Sequence, residues 1–346
     1  MLNERLRDAA YCIREHYRKQ KNVSRQPGGG IRPKSYRQPN RVSTRWPVHA
    51  MNFEPGTTRF SAINAEALAV ASIIAYEADN AKAQRRAEKE LGLDQFFEPF
   101  EHHNLAIDTE GFVAASKQHV ILAFRGTEPG KIKDWATDGL AAPTAFRWFF
   151  DRAPDVGYVH SGFANSLRDS WAESVRKLLK KAGAGTRRTL WITGHSLGGA
   201  LAALAGGACA YDPDTLLPVN GLYTFGQPRV GLHDFCNNIE LKFGRVYYRF
   251  VNDRDLVPRA PPRAFDYTHT GRLIHFDSNG QPDVDSQEHR SFLARAFRTI
   301  SKAVDDFLHS PELIGDHNMT SGYLAHIHKS AQSGALAAGK TLPANW

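Results

Sequence analysis

The sequence predicts an α/β fold with a mostly parallel central sheet, and three observations support this prediction. Short apolar runs with strand character alternate with longer segments of helical period. The run 120–124 is apolar without a break, which is typical of a strand buried on both faces. The run 190–193 leads directly into an alanine-rich segment, 197–209. With 346 residues, 42% of them hydrophobic, the chain can build a large core.

The predicted elements follow one another in a simple order. Leu68, Ile73 and Tyr76 recur at helical spacing and predict a helix over 62–78. An amphipathic helix is predicted over 162–181, with Ser161 as its N-cap. The strands are predicted at 112–115, 119–124, 190–193, 222–225 and 246–251, and a further helix at 197–209.

The positive charge is confined to one end of the chain. The formal net charge is +8, yet residues 1–50 contain twelve Lys and Arg and only three acids. The remaining 296 residues are therefore close to neutral. We predict two parts: a basic N-terminal extension over 1–50, partly helical or disordered, and a catalytic domain over 51–346. The extension is either a solvated tail or, through residues 2–20, an amphipathic helix on anionic lipid.

Several classes of protein are disfavoured. No apolar run is long enough to span a membrane, and no secretory leader is visible, so a cytoplasmic location is expected. Three cysteines suggest no disulfide framework, and no ligand-spaced cluster predicts a metal. No groove-reading motif accompanies the basic segment, so nucleic acid is not expected as a partner. The segment 334–341 matches the phosphate-loop pattern, but only five residues follow it and one of them is a proline, so we reject a nucleotide site and expect no cofactor.

Catalytic chemistry is indicated by the motif Gly-His-Ser-Leu-Gly at 194–198. Between a strand and a helix, this pattern predicts a nucleophile elbow that presents Ser196 at the top of the sheet. Leu197 opens the helix, so its N–H has no intrahelical acceptor and can donate to an oxyanion.

A nucleophilic serine needs a base and an orienting carboxylate, which on this fold follow it in the order acid, then histidine. Asp253 and Asp255 both follow the strand 246–251 and are candidates for the acid. The residue types leave open which histidine is the base. The candidates beyond Asp255 are His269, His275, His289, His309, His317, His326 and His328.

Taken together, the motifs resemble those of the class 3 lipases, which are α/β-hydrolases. The matching segments are 123–127, 134–138, 160–163, 194–201, 224–231, 252–258 and His317-Asn318 with Tyr323-Leu324. The resemblance implies that Asp255 is the acid, because the family's acid precedes a Val-Pro pair at this spacing. It also implies that His317 is the base, that Thr127 is the second oxyanion donor, and that His160 and His195 are structural. After the position of Thr127 the family carries a lid, and the aromatic segment 145–150 is either part of it or core.

The resemblance implies a serine carboxylic-ester hydrolase that acts on acyl lipids through Ser196, His317 and Asp255. Phospholipase A1 activity and a small-ester or feruloyl-type esterase remain alternatives on the same fold. A non-catalytic lipid-binding module is disfavoured, because the residue types of the triad are present in the required order.

Overall fold

A computed structural model of the chain describes residues 51–103, 108–127, 143–149, 155–212, 217–253, 255–284 and 316–336. The predicted extension over 1–50 lies outside these residues, as do His289 and His309. Within the described part, no helix is both long enough and apolar enough to cross a membrane.

One eight-stranded sheet organises the described residues. Its strands are β1 (Phe96–His102), β2 (Thr109–Ala115), β3 (His119–Phe124), β6 (Thr189–His195), β7 (Val219–Phe225), β8 (Tyr247–Asn252), β9 (Arg272–Phe276) and β10 (Pro282–Val284). The order in space follows the order in sequence, and the pairs from β3 through β9 are parallel. The outer pairs β1–β2, β2–β3 and β9–β10 are antiparallel. A short hairpin of β4 (Pro143–Ala145) and β5 (Tyr158–His160) stands apart from this sheet.

Helices follow the strands as the α/β pattern requires. The α-helices are α1 (Ala62–Ile74), α2 (Asn80–Leu91), α3 (Ser161–Ser170), α4 (Arg176–Gly183), α5 (Leu197–Tyr211), α6 (His233–Phe243) and α7 (Ala325–Gln332). Two π-helical turns, Trp171–Val175 and Met319–Leu324, precede α4 and α7. Short 3-10 turns lie at Phe146–Phe149, Val257–Arg259 and Arg263–Phe265.

The alternation of side chains along β6 explains how both faces of the sheet are covered. Leu190 and Ile192 join the main hydrophobic core with residues of α3, α4 and α5. Thr193 faces α1, where its hydroxyl hydrogen-bonds the hydroxyl of Ser72 (3.0 Å) and the carbonyl of Leu68 (3.2 Å). The sheet is therefore a buried middle layer, and the carboxyl ends of its parallel strands share one edge.

The structure corrects several predicted boundaries. The first helix ends at Ile74, and Asp79 caps a separate helix, α2, by accepting from the Lys82 N–H. The predicted helix 162–181 is interrupted by a π-helical turn. Its N-cap is His160, whose ring accepts from the Phe163 N–H, so the prediction of Ser161 was wrong.

The structure also describes parts of two segments discussed above, 145–150 and 334–341. Phe146 is fully buried, and its ring centroid lies 4.9 Å from that of Phe235, so this residue belongs to the core. Gly334 lies two residues beyond the end of α7 in a left-handed conformation (φ +71). It does not follow a strand, as a phosphate loop would require.

Candidate active site

The turn after β6 holds Ser196 in a strained conformation at the carboxyl edge of the sheet. Its φ is 58° and its ψ is −127°, a region that non-glycine residues rarely adopt. The turn is tight because a Cβ on Gly194 would lie 2.2 Å from the Gly198 carbonyl oxygen, and one on Gly198 would lie 2.4 Å from that of Phe124. Small residues at both positions let strand and helix approach, and helix α5 then begins at Leu197.

The predicted acid and base lie together in the interior. His317 Nδ1 is 2.8 Å from Asp255 Oδ2, and both residues are buried. The other carboxylate oxygen of Asp255 accepts from the Val257 N–H at 2.9 Å. An imidazole nitrogen that faces a carboxylate carries the proton, so the opposite nitrogen, Nε2, is free to accept one.

Two side-chain atoms at this site form no hydrogen bond within the described part of the chain. Among the described residues, neither Ser196 Oγ nor His317 Nε2 has a hydrogen-bond partner, although both atoms are buried. Ser196 and His317 also contact the same turn: the Ser196 N–H donates to the Phe225 carbonyl (2.9 Å), and Gly226 packs against the His317 ring.

Asp253 does not take the place of Asp255. It stands in a turn with φ +31, where its N–H donates to the Phe276 carbonyl (2.7 Å) and its own carbonyl accepts from His275 Nε2 (3.1 Å).

The other described histidines beyond Asp255 are engaged elsewhere. His269 Nε2 donates to the Pro258 carbonyl (2.7 Å), and burial lowers the pKa of His269 well below 6.5. His326 Nδ1 lies 2.9 Å from Asn252 Oδ1, and His328 Nδ1 lies 2.5 Å from Glu66 Oε1. By contrast, the ring of His317 bonds the side-chain carboxylate of Asp255.

The loop after β3 packs on the elbow and carries Thr127. A Cβ on Gly126 would lie 2.4 Å from the His195 carbonyl oxygen and 3.2 Å from Ser196 Cβ, so this loop touches the turn that holds Ser196. Arg125, on the same loop, forms an ion pair with Glu110. Thr127 is half-buried, next to Gly126, and Leu197 provides the first N–H of α5. Thr127 and Leu197 therefore lie on segments that adjoin Ser196 from two sides.

Three residues support this pair: Tyr323 and Asn252, to which the sequence assigned no role, and His195, which the resemblance marks as structural. The Tyr323 hydroxyl lies 2.5 Å from Asp255 Oδ2, and Asn252 and His195 contact the backbone before and at His317. Tyr323 and Asn252 stood inside matched motifs, and that was their only signal in the sequence. Among the described residues, no group of three or more His, Cys, Asp and Glu is placed to hold a metal ion.

A mostly parallel sheet with a strained serine between strand and helix, followed by an acid after a later strand and a histidine beyond it, defines an α/β-hydrolase. A family model described as "Lipase (class 3)" matches residues 121–265. This segment of the chain is therefore similar to the class 3 lipases.

Individual relatives support the same family. A "Lipase" from Rhizomucor miehei is 36% identical over 189 residues, which are 52% of this chain and 48% of that protein. "Triacylglycerol lipase OBL1" from Arabidopsis thaliana is 28% identical over 258 residues, 60% of this chain and 48% of that protein. The chain thus spans about half the length of the curated relatives it matches.

A solved structure shares the fold. The mono- and diacylglycerol lipase from Aspergillus oryzae superposes with a TM-score of 0.51 at 20% identity, covering 65% of this chain and 86% of that one.

Proposed function

We propose that the chain is a serine carboxylic-ester hydrolase that cleaves acyl esters of lipids. The observation that carries this proposal is the buried pair of His317 and Asp255, joined at 2.8 Å, beside an elbow that strains Ser196. Among the described residues, His317 Nε2 has no hydrogen-bond partner, which leaves this nitrogen open as a general base requires.

In the proposed mechanism, Ser196 Oγ attacks the acyl carbonyl carbon while its proton passes to His317 Nε2. Asp255 holds the Nδ1 proton and stabilises the imidazolium. The carbonyl oxygen becomes an oxyanion that the N–H groups of Thr127 and Leu197 stabilise, each donor contributing about 2.7–4 kcal/mol. His317 then protonates the leaving alcohol, an acyl ester remains on Ser196, and a water activated by His317 releases the fatty acid.

Lipid acyl esters are the favoured substrates because the relatives are named as a lipase and a triacylglycerol lipase. A series of p-nitrophenyl esters from acetyl to palmitoyl, together with triacylglycerol and phospholipid emulsions, separates the alternatives. Preference for medium and long chains supports the proposal. Preference for acetyl indicates a small-ester esterase, and release of fatty acid from phospholipid alone indicates a phospholipase.

The nucleophile is tested by Ser196→Ala, with Ser170→Ala as a matched control. Ser170 is also buried, but its hydroxyl bonds helix carbonyls (3.0 and 3.2 Å) far along the sequence from the elbow. Ser196→Ala should abolish ester hydrolysis and covalent labelling by a fluorophosphonate, whereas Ser170→Ala should keep both. Labelling that survives in Ser196→Ala would falsify the assignment.

We further propose that residues 1–50 contact anionic membranes, supported by the charge of that segment alone. Replacing Arg14, Arg18, Lys19 and Lys21 with glutamine in the full chain should weaken binding to phosphatidylserine vesicles more than tenfold, since each basic residue contributes about 1 kcal/mol. Hydrolysis of a soluble ester should stay unchanged. Equal vesicle binding by the two proteins would refute the membrane contact.

The cytoplasmic location, the absence of nucleic-acid partners and the absence of a cofactor stay predictions.

A further inference from the structure

The imidazole of His317 is oriented at one ring nitrogen by Asp255, but the position of its backbone needs a separate explanation. A hydrogen bond to one ring nitrogen leaves the main chain free to shift relative to the serine. Two side chains fix that main chain. His195 Nε2 lies 2.8 Å from the His317 carbonyl oxygen, and Asn252 Nδ2 donates to the carbonyl of the preceding residue, Asp316, at 2.9 Å. We name these two side chains the base clamp.

The base clamp connects the three residues of the proposed triad. His195 directly precedes Ser196 in the elbow, and Asn252 is the last residue of β8, three positions before Asp255. His195, next to Ser196 in sequence, and Asn252, close to Asp255, therefore both bond the backbone at or next to His317. A displacement of the base from either neighbour would break one of these bonds.

The hydrogen-bond pattern defines the tautomer of His195. A carbonyl oxygen only accepts, so Nε2 carries the proton, and Nδ1 must then accept from the Tyr76 hydroxyl at 2.9 Å. Burial, and next the neighbouring His317, lower the pKa of His195 well below 6.5, so the ring stays neutral. The centroid of the His195 ring also lies 4.5 Å from that of His317, so the two rings are in contact.

Asn252 is oriented just as fully. Its Oδ1 accepts from His326 Nδ1 (2.9 Å), which leaves the amide NH₂ to face Asp316, and its backbone N–H donates to the Tyr323 hydroxyl (3.1 Å). Gly322 keeps the space open, because a Cβ there would lie 2.9 Å from Asn252 Nδ2.

We propose that His195 and Asn252 are positioning residues that hold the backbone of His317 at the distance from Ser196 that proton transfer requires. This proposal rests on the proposed function and reassigns His195, which the resemblance marks only as structural. A displacement of about 1 Å in a reacting group can cost a hundredfold in rate. The clamp therefore predicts a loss in kcat with little change in KM.

The test uses three substitutions in the full chain. His195→Leu removes the donor to the His317 carbonyl, His195→Gln keeps an N–H donor of similar reach, and Asn252→Asp keeps the shape of Asn252 but replaces its NH₂ with an acceptor. With a p-nitrophenyl ester at pH 8, we expect His195→Leu and Asn252→Asp to lower kcat about ten- to a hundredfold. The decrease in log kcat in His195→Gln should be at most half of the decrease in His195→Leu.

A second readout distinguishes positioning from a general loss of stability. We expect the proton between His317 Nδ1 and Asp255 to give a far-downfield NMR resonance. This resonance should broaden or shift in His195→Leu and Asn252→Asp and stay in His195→Gln. The control is His119→Gln, which replaces another buried histidine at the opposite end of the sheet, where His119 pairs with Thr189. It should leave both kcat and the resonance unchanged.

The outcomes separate the two proposals. If the wild-type protein neither hydrolyses esters nor reacts with a fluorophosphonate, the proposed function is wrong. If the wild type does both, and His195→Leu and Asn252→Asp fold and keep kcat within about twofold, the clamp is wrong and the function stands. If His195→Leu does not fold, the other two variants test the base clamp. A kcat in Asn252→Asp equal to that of the wild type would overturn it. A complete loss of activity in His195→Gln would overturn it as well.

Discussion

The hydroxyl of Tyr323 lies 2.5 Å from Oδ2 of Asp255, the same oxygen that accepts from His317. Burial, and next the charge of Asp255, raise the pKa of Tyr323 well above 10, so the hydroxyl keeps its proton and donates it. With Val257 donating to Oδ1, both oxygens of the carboxylate are bonded, and its orientation toward His317 is fixed. The π-helical turn Met319–Leu324 presents Tyr323 only six residues after His317, so base and tyrosine reach Asp255 from one short segment.

We predict that Tyr323→Phe weakens both stability and catalysis. The substitution removes a hydrogen bond to a charged group and leaves the buried Asn252 N–H without its acceptor. The free energy of unfolding should fall by about 1–3 kcal/mol. Since the carboxylate loses one of its two constraints on Oδ2, kcat should also fall about tenfold, which corresponds to 1.4 kcal/mol in the barrier. Urea denaturation and ester hydrolysis measure the two effects.

The matched control for this substitution is Tyr248→Phe. Tyr248 is buried too, but its hydroxyl donates to the Arg245 carbonyl (3.0 Å) at the opposite edge of the sheet. Tyr248→Phe should lower stability and leave kcat unchanged. Equal effects of both substitutions on kcat would contradict a role of Tyr323 at the acid.

Gly226→Ala should abolish most activity without unfolding the protein. A Cβ at this position would lie 2.7 Å from His317 Cε1, 2.9 Å from His317 Nδ1 and 3.0 Å from Asp255 Oδ2. The imidazole has to move, and we expect kcat to fall at least about a hundredfold. The rate at which a fluorophosphonate phosphonylates Ser196, with loss of fluoride, should fall to a similar extent.

Gly185→Ala provides the control, because Gly185 shares the positive φ of Gly226 (66° and 60°) but has open space around its Cβ position. Both substitutions should cost about 1–2 kcal/mol of backbone strain. Only Gly226→Ala should affect kcat. If Gly185→Ala reduces kcat as strongly, backbone strain and not the clash with the base explains the loss.

Asp255→Asn should be far more damaging than Asp253→Asn. An amide at position 255 no longer selects the proton position on His317 or stabilises the imidazolium, and such a change costs about 10⁴-fold in kcat. Asp253→Asn leaves the His317–Asp255 bond intact, so its kcat should stay within a few-fold of the wild type. Steady-state kinetics of the two variants decide between the two aspartates that the sequence leaves open. The reverse ranking would place the acid at position 253.

The sequence predicts best those helices and strands that are buried along their whole length. Strand β3 is buried throughout and α5 is almost wholly apolar, so one local pattern suffices for each. Strand β1 escapes prediction because it forms the edge of the sheet, where it mixes Phe with Glu and includes Pro99. The two π-helical turns also have no local signature, since the surrounding residues fit an ordinary helical period.

The site shows a similar division between local and long-range information. The elbow is local, so the sequence predicts the strained turn at Ser196 directly. The association of His317 with Asp255 joins positions 62 residues apart, and that of His195 with the His317 carbonyl joins positions 122 apart. Spacing cannot indicate such contacts. Only the family resemblance selected Asp255 and His317, and it gave His195 and Asn252 no part in positioning the base.

The last prediction concerns the pH dependence of stability and uses His119. Burial, and next the nearby Arg188, lower the pKa of His119 from 6.5 to about 4. Between these values the unfolded chain binds a proton that the folded protein does not, so stability is lost as the pH falls from 6.5 toward 4. The loss assigned to this histidine is about 3 kcal/mol.

The variant His119→Gln cannot bind that proton in either state. At pH 7.5 it should be less stable than the wild type, because the His119 ring stacks on Phe53 with centroids 4.1 Å apart. On acidification toward pH 4 the difference should shrink or reverse by about 2–3 kcal/mol. Urea denaturation of both proteins at the two pH values measures this change. Other buried histidines, such as His195 and His269, contribute equally to wild type and variant, so the difference reports His119 alone. A gap that stays constant with pH would show that His119 titrates alike in the folded and unfolded states.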